Sequence, residues 1–193
     1  MPARRPQSTL RCVPVLILPA LLAGALFLCA FRQADGAIQE PVEQLQFLSP
    51  LLGTTWTGRF EPPGPSFDHV IRWEPILDGH AIRMVKDVEA ADFRMETIYV
   101  WDPQAGNVSY LTQTNSGQIS TGIVRAENGL IIQEGVNHYD DPVTEYRYTF
   151  TVTPDGTLED RFYHREEGAW IQGHLIVYEP GEKPATCGPP GNR

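Results

Sequence analysis

Three histidines and one aspartate, His69, His164, His174 and Asp160, are the side chains here whose types and placement could do chemistry. Each lies in a segment that alternates with period two, the signature of a strand with two unlike faces. One face carries Phe67, His69, Ile71 and Trp73; a second carries Leu158, Asp160, Phe162 and His164. A third carries Trp170, Gln172, His174, Ile176 and Tyr178, and in "TEYRYTFTV" Tyr146, Tyr148, Phe150 and Val152 face together. These apolar-rich faces are expected to turn inward, which sets imidazoles and a carboxylate among aromatic rings. There an unpaired polar group costs about 1–3 kcal/mol and an unpaired charge several. Such groups must bond one another, water or a ligand. The candidate ligand-binding set is therefore His69, Tyr146, Tyr148, Asp160, Phe162, His164, Trp170 and His174, with His69, His164, Tyr146 and Trp170 near the mouth and His174 and Asp160 deeper.

Other chemistry has less to stand on. No G-x-S-x-G, H-E-x-x-H or G-x-x-x-x-G-K-[ST] occurs, so the common hydrolase, zincin and nucleotide signatures are missing, and no catalytic residue is assigned. His138, Asp140 and Asp141 in "NHYDDP" are metal-friendly types, but Asp before Pro is ordinary turn chemistry and no metal site is expected. Glu134 faces inward with Leu130 and Ile132, or outward if Gly135 marks a bulge; Arg125 is its candidate partner. "NVS" at Asn107 is a glycosylation sequon that matters only in a source that glycosylates.

Strands must position these groups. Between turn signals, ten segments alternate with period two: 54–60, 67–73, 80–88, 94–101, 107–114, 118–125, 130–136, 144–152, 157–165 and 170–178. The connections are too short for parallel crossovers, so sequence neighbours pair antiparallel in an up-and-down meander. Closing it removes two exposed edges. The expected fold is all-β, a ten-stranded closed barrel. A short amphipathic N-terminal helix, "PVEQLQFLSPLL", precedes it, with Val42, Leu45, Leu48 and Leu52 near helical spacing.

The two barrel ends read differently. Connections after even-numbered strands, "EPILDG", "DPQAG", "AENG" and "TPDG", hold the residue pairs of tight hairpins. Those after odd-numbered strands, including "EPPGPS" and "NHYDDPV", are on the whole looser and form a mouth. An aromatic, an acid and a proline close four strands at Phe60, Trp73, Trp101 and Tyr178. Proline lacks a ladder donor and the aromatic is the last large packed group. By strand direction, Trp73, Trp101 and Tyr178 gather round Trp56 as the floor of the tight end.

Residues 1–36 read as an export signal, with Arg4, Arg5 and Arg11 ahead of the apolar run "VPVLILPALLAGALFLCA" and "ADGA" as the cleavage region; an uncleaved anchor is the alternative. The barrel domain then spans 38–180, and 181–193 is a tail too polar to offset the entropy of ordering. The signal takes Cys12 and Cys29, leaving Cys187 alone in the tail, so no internal disulfide is expected. Its loss removes four of the 15 basic and one of the 24 acidic residues, leaving a net charge of −12. That balance argues against nucleic acid and anionic membrane as partners, and the export signal sets the expected location as the periplasm or outside the cell.

Together "LLGTTWTG", "YVWDPQAGNVSYL", "SGQISTG" and "EGAWIQGHLIVYE" resemble an uncharacterised family of bacterial lipocalin-like domains of the calycin group, over residues 45–180. The resemblance implies a closed end at a glycine and tryptophan near the first strand, here Gly53 and Trp56 with Thr54 and Thr55 between them. It implies a small-molecule binder with no established activity; the expected ligand is a small hydrophobic molecule and no cofactor is expected. The chain also resembles nitrobindins in "LLGTTWTGRF" and in a last-strand histidine. That likeness implies haem, with His174 proximal and Trp170, His164 or His69 distal. A third expectation is an interaction module that uses its mouth loops, among them "EPPGPS".

Overall fold

The structure, a computed structural model, describes residues 39–61, 64, 65, 67–140 and 142–181. The expected export signal and the tail residues 182–193, with Cys187, lie outside the described residues. Ten strands follow in order: β1 (Thr55–Phe60), β2 (His69–Ile76), β3 (Ala81–Val88), β4 (Phe93–Asp102) and β5 (Asn107–Thr114). The second half comprises β6 (Ile119–Glu127), β7 (Leu130–Asn137), β8 (Thr144–Val152), β9 (Leu158–Glu166) and β10 (Ala169–Pro180). Each pairs antiparallel with its sequence neighbours, and β1 pairs with β10, so the meander is a closed barrel with every strand flanked on both sides.

The N-terminal segment Glu43–Leu51 is a 3₁₀ helix, not an α-helix. Its buried side chains are Leu45, Leu48 and Leu51, a spacing of three that eclipses along a 3₁₀ helix and drifts round an α-helix. Leu52, expected on that face, instead bridges in parallel to Trp73. The Val42 amide donates to the Gly79 carbonyl at 3.0 Å, and the Trp56 indole N–H donates to the Leu51 carbonyl at 3.3 Å. The helix thereby plugs the end where β1 begins and β2 ends. Trp56, Trp73 and Tyr178 are buried in one cluster with the three leucines, and half-buried Trp101 packs against it. These four aromatics therefore meet at the plugged end.

Proline does not end every ladder. β2 runs through Pro75, which pairs with Ile82 of β3, and β10 reaches Pro180. Pairing between β1 and β2 stops at Arg72, so Pro75 has no donor to supply toward β1. The mouth is also less uniform than its composition suggests. Glu167 and Gly168 both have positive φ, 47° and 83°, and join β9 to β10 in a turn as tight as Asn128–Gly129 at the floor end.

Glycines beneath aromatic rings let the barrel close. A Cβ on Gly135 would lie 2.1 Å from the Tyr110 hydroxyl and 2.2 Å from the Thr121 carbonyl. One on Gly58 would meet the Tyr178 ring at 2.7 Å, and one on Gly173 the Phe162 ring at 2.8 Å. The ring occupies the volume that a side chain would have taken.

Candidate functional site

The lumen is built from the inward residues of each strand. On β2, His69, Ile71 and Trp73 are buried; Phe67 falls before the strand and is exposed, so the expected face begins one residue pair late. On β8, Tyr146 and Phe150 are buried and Tyr148 half-buried, whereas Val152 at the strand end is exposed. Leu158, Asp160 and Phe162 of β9 line up with Tyr178, Ile176 and His174 of β10. Tyr146, Tyr148, Asp160, Phe162, His69 and His174 are thus brought together inside.

Trp170 is not. Between Gln172 and His174 the register of β10 against β9 shifts by one, with Gly173 as the extra residue. Ile171 consequently pairs with His164 and Trp170 with Arg165, which puts Trp170 on the outer face. Its ring lies 4.4 Å from the Arg147 guanidinium and 5.4 Å from that of Arg165, a cation–π stack outside the barrel. The expectation that Trp170 lines the lumen assumed unbroken alternation along "WIQGHLIVY", and the bulge reverses the phase. His164 keeps the inward phase but sits at the rim, where its Nε2 meets the Glu166 carboxylate at 2.9 Å.

Glu134 points outward without any bulge, because Ile131, Gln133 and Gly135 pair with the lumen residues Phe150, Tyr148 and Tyr146. Arg125 and Arg147 hydrogen-bond it at 2.7 and 2.6 Å. Partial burial works to raise its pKa, and these two guanidinium bonds outweigh that and hold the carboxyl below its usual range. His138 contacts the Thr121 hydroxyl at 2.7 Å.

Lys86, which sequence reasoning passed over, lies at the centre of the lumen. Its ammonium is 3.2 Å from Asp160 Oδ2, and the side chains are 7% and 1% exposed. They are the only buried Lys, Arg, Asp or Glu side chains among the described residues. The signal was present in "AIRMVKDV", where Ile82, Met84, Lys86 and Val88 share a face opposite Arg83 and Asp87.

Around this ion pair, six buried polar atoms have no hydrogen-bond partner among the described residues: both ring nitrogens of His69, His174 Nε2, Asp160 Oδ1, the Trp73 indole N–H and the Tyr178 hydroxyl. Phe60 wedges edge-on between the two imidazoles, its centroid 4.5 Å from His69 and 4.9 Å from His174. Burial, reinforced by the Lys86 charge, lowers the His69 pKa to about 4. Burial also lowers that of His174, against the opposing pull of Asp160. Burial and the adjacent Asp160 carboxylate push the Tyr178 phenol well above its usual range.

A cavity of about 140 Å³ opens at the mouth. Phe93, Met95, Tyr146, Tyr148 and Phe162 form its apolar wall, and Thr112, Ser120 and Gln133 its polar side. These polar groups are largely engaged: Tyr110 donates to Tyr146 and Tyr99 to Gln133, both at 2.7 Å, and Thr97 shares a 2.7 Å bond with Thr112. A second void of about 10 Å³ adjoins Lys86 and Asp160, and Met95, Gln133 and Tyr148 line both spaces. The arrangement suits binding of a small guest. A nucleophile–base pair in an open cleft is not among these contacts.

Haem fits these residues poorly. His174 Nε2 is free, as a proximal ligand requires. Its ring, however, stacks on Phe162 at 5.0 Å and 18° and abuts Phe60. The mouth cavity falls short of the roughly 300–1,000 Å³ typical of cofactor and drug-sized sites. A macrocycle at His174 would have to displace both phenyl rings. Compared with protein-family models and with curated proteins, the chain matches none.

Proposed function

We propose that this protein is an exported, lipocalin-like carrier that holds a small, mostly apolar molecule in the mouth cavity of its barrel. The observation behind this is the cavity itself: aromatic walls from Phe93, Tyr146, Tyr148 and Phe162, open at one end, above a buried ion pair ringed by unpartnered polar atoms. A core built only for stability would leave few such atoms, because each costs about 1–3 kcal/mol. Binding sites retain them because a guest satisfies them.

The export part rests on the basic–apolar pattern of residues 1–36. The lipocalin-like part rests on the Gly53–Trp56 start and the closed meander. An interaction role for "EPPGPS" has no supporting observation, since Pro62, Pro63 and Ser66 lie outside the described residues.

Naphthalene, an uncharged two-ring hydrocarbon, tests the proposal in an amide NMR titration of the purified chain. Saturable shifts at Met95, Gln133, Tyr148 and Phe162 are expected. Trp170→Ala should leave the dissociation constant unchanged within about twofold, because the ring lies outside. Shifts that stay linear and scattered over the surface would falsify the carrier proposal.

A further inference from the structure

The ion pair and its neighbours say more about the guest than the apolar walls do. Three properties of the place where Lys86 meets Asp160 restrict what can reach it: size, charge and hydrogen-bonding capacity. The void there is about 10 Å³, close to the smallest space that admits one water molecule. A single hydroxyl matches that size. A carboxylate, with two oxygens on a carbon, fits it less well.

Charge gives the same answer independently. Lys86 and Asp160 compensate each other, and they are the only buried Lys, Arg, Asp or Glu side chains among the described residues. The two imidazoles beside them are kept neutral by burial. A charged guest would bring an uncompensated charge into an electroneutral interior, at a cost of several kcal/mol.

Hydrogen bonding then selects among neutral guests. Asp160 Oδ1 makes no hydrogen bond of ordinary geometry, although the Tyr178 hydroxyl, itself unpartnered, stands beside the carboxylate, whereas Lys86 carries three N–H donors, one of which goes to Asp160 Oδ2. A hydroxyl can donate to Oδ1 and accept from Lys86. An ether or a ketone can only accept, leaving Oδ1 unsatisfied. Met95, Gln133 and Tyr148 form the wall between the mouth cavity and the void, so a guest that spans both must displace one of them. Met95 is unbranched and the most easily moved of the three.

We infer that the void beside Lys86 and Asp160 receives the hydroxyl end of an uncharged, otherwise apolar alcohol whose body lies in the mouth cavity. This rests on the carrier proposal above, and it adds the class of ligand and the two residues that select it.

The experiment is competition against bound naphthalene by four eight-carbon compounds at pH 7.5: 1-octanol, octanoate, octylammonium and 1-chlorooctane. Octanol should bind roughly tenfold or more tighter than either ion, and tighter than the chloride, which fills the same space without donating. In the double variant Lys86→Met/Asp160→Leu, which replaces the pair by apolar groups of similar bulk, octanol should lose its advantage over chlorooctane. The inference is overturned if octanoate or octylammonium matches octanol in the wild type. It is also overturned if octanol fails to displace naphthalene, or if the octanol preference survives in the double variant. Should that variant not fold, the wild-type ranking decides alone. Failure of naphthalene itself to bind would sink the carrier proposal; naphthalene binding with the wrong ranking sinks only the alcohol.

Discussion

At the scale of single residues, the lumen is governed by groups that burial has deprived of water. Lys86 and Asp160 are worth little as a net source of stability, since desolvating two ions offsets most of their attraction. Removing one is another matter. Lys86→Met should destabilise the fold by about 3–5 kcal/mol in urea denaturation, because it strands the Asp160 carboxylate, and adding Asp160→Leu should recover most of that loss. His69 makes a pH-dependent contribution whose sign follows from its lowered pKa. The ring goes from an ordinary value of 6.5 in the unfolded chain to about 4 when folded, so the unfolded state takes up the proton first. Its contribution is therefore complete above pH 6.5 and is lost as the pH falls toward 4, by up to about 3 kcal/mol. The His174 shift acts in the same direction. The difference between the urea midpoints of the wild type and His69→Phe should change on acidification from neutral pH, with the variant losing less; parallel curves would contradict the assignment.

At the scale of elements, register and glycine placement decide which side chains meet. The bulge at Gly173 turns Trp170 outward onto Arg147 and Arg165 while His174, Ile176 and Tyr178 stay inside. No residue type in "WIQGHLIVY" announces this except Gly173 itself, and a glycine in a strand marks either a bulge or a ring lying across it. Here it marks both, because the Phe162 ring also covers it. Gly135 shows the second use alone: paired with Gly122 and Tyr146, it makes room for the Tyr110 hydroxyl that bonds Tyr146. Gly135→Ala should cost about 1–3 kcal/mol by overpacking, and Tyr110→Phe, which removes the nearest obstructing atom, should relieve part of that cost. Thermal denaturation of the two single variants and the double variant measures that coupling.

At the scale of the whole molecule, the barrel is sealed at one end by the 3₁₀ plug and open at the other, so the proposed binding and the packing of the plug lie at opposite ends. Leu48 is fully buried in the plug, beneath the tryptophan floor. Leu48→Ala should destabilise by about 2–5 kcal/mol while leaving naphthalene affinity of the folded fraction unchanged; an affinity loss in step with stability would mean that the two ends are not separable. Much of this architecture was readable from the chain alone. The ten strands, their antiparallel order and the gathering of Trp56, Trp73 and Tyr178 at one end follow from period-two alternation, short connections and strand direction, all of which are local properties. So does the inward phase of His69, Tyr146, Tyr148, Asp160 and Phe162. The partners across the lumen were not readable. Lys86 and Asp160 lie 74 positions apart, and alternation says that each faces inward without saying which strand stands opposite. The outward turn of Trp170 depends on a one-residue shift against β9, and the volume of the cavity depends on how many rings crowd the centre. Backbone pattern is set by neighbours along the chain, whereas register, pairing across a barrel and leftover space arise only when all ten strands close on one another.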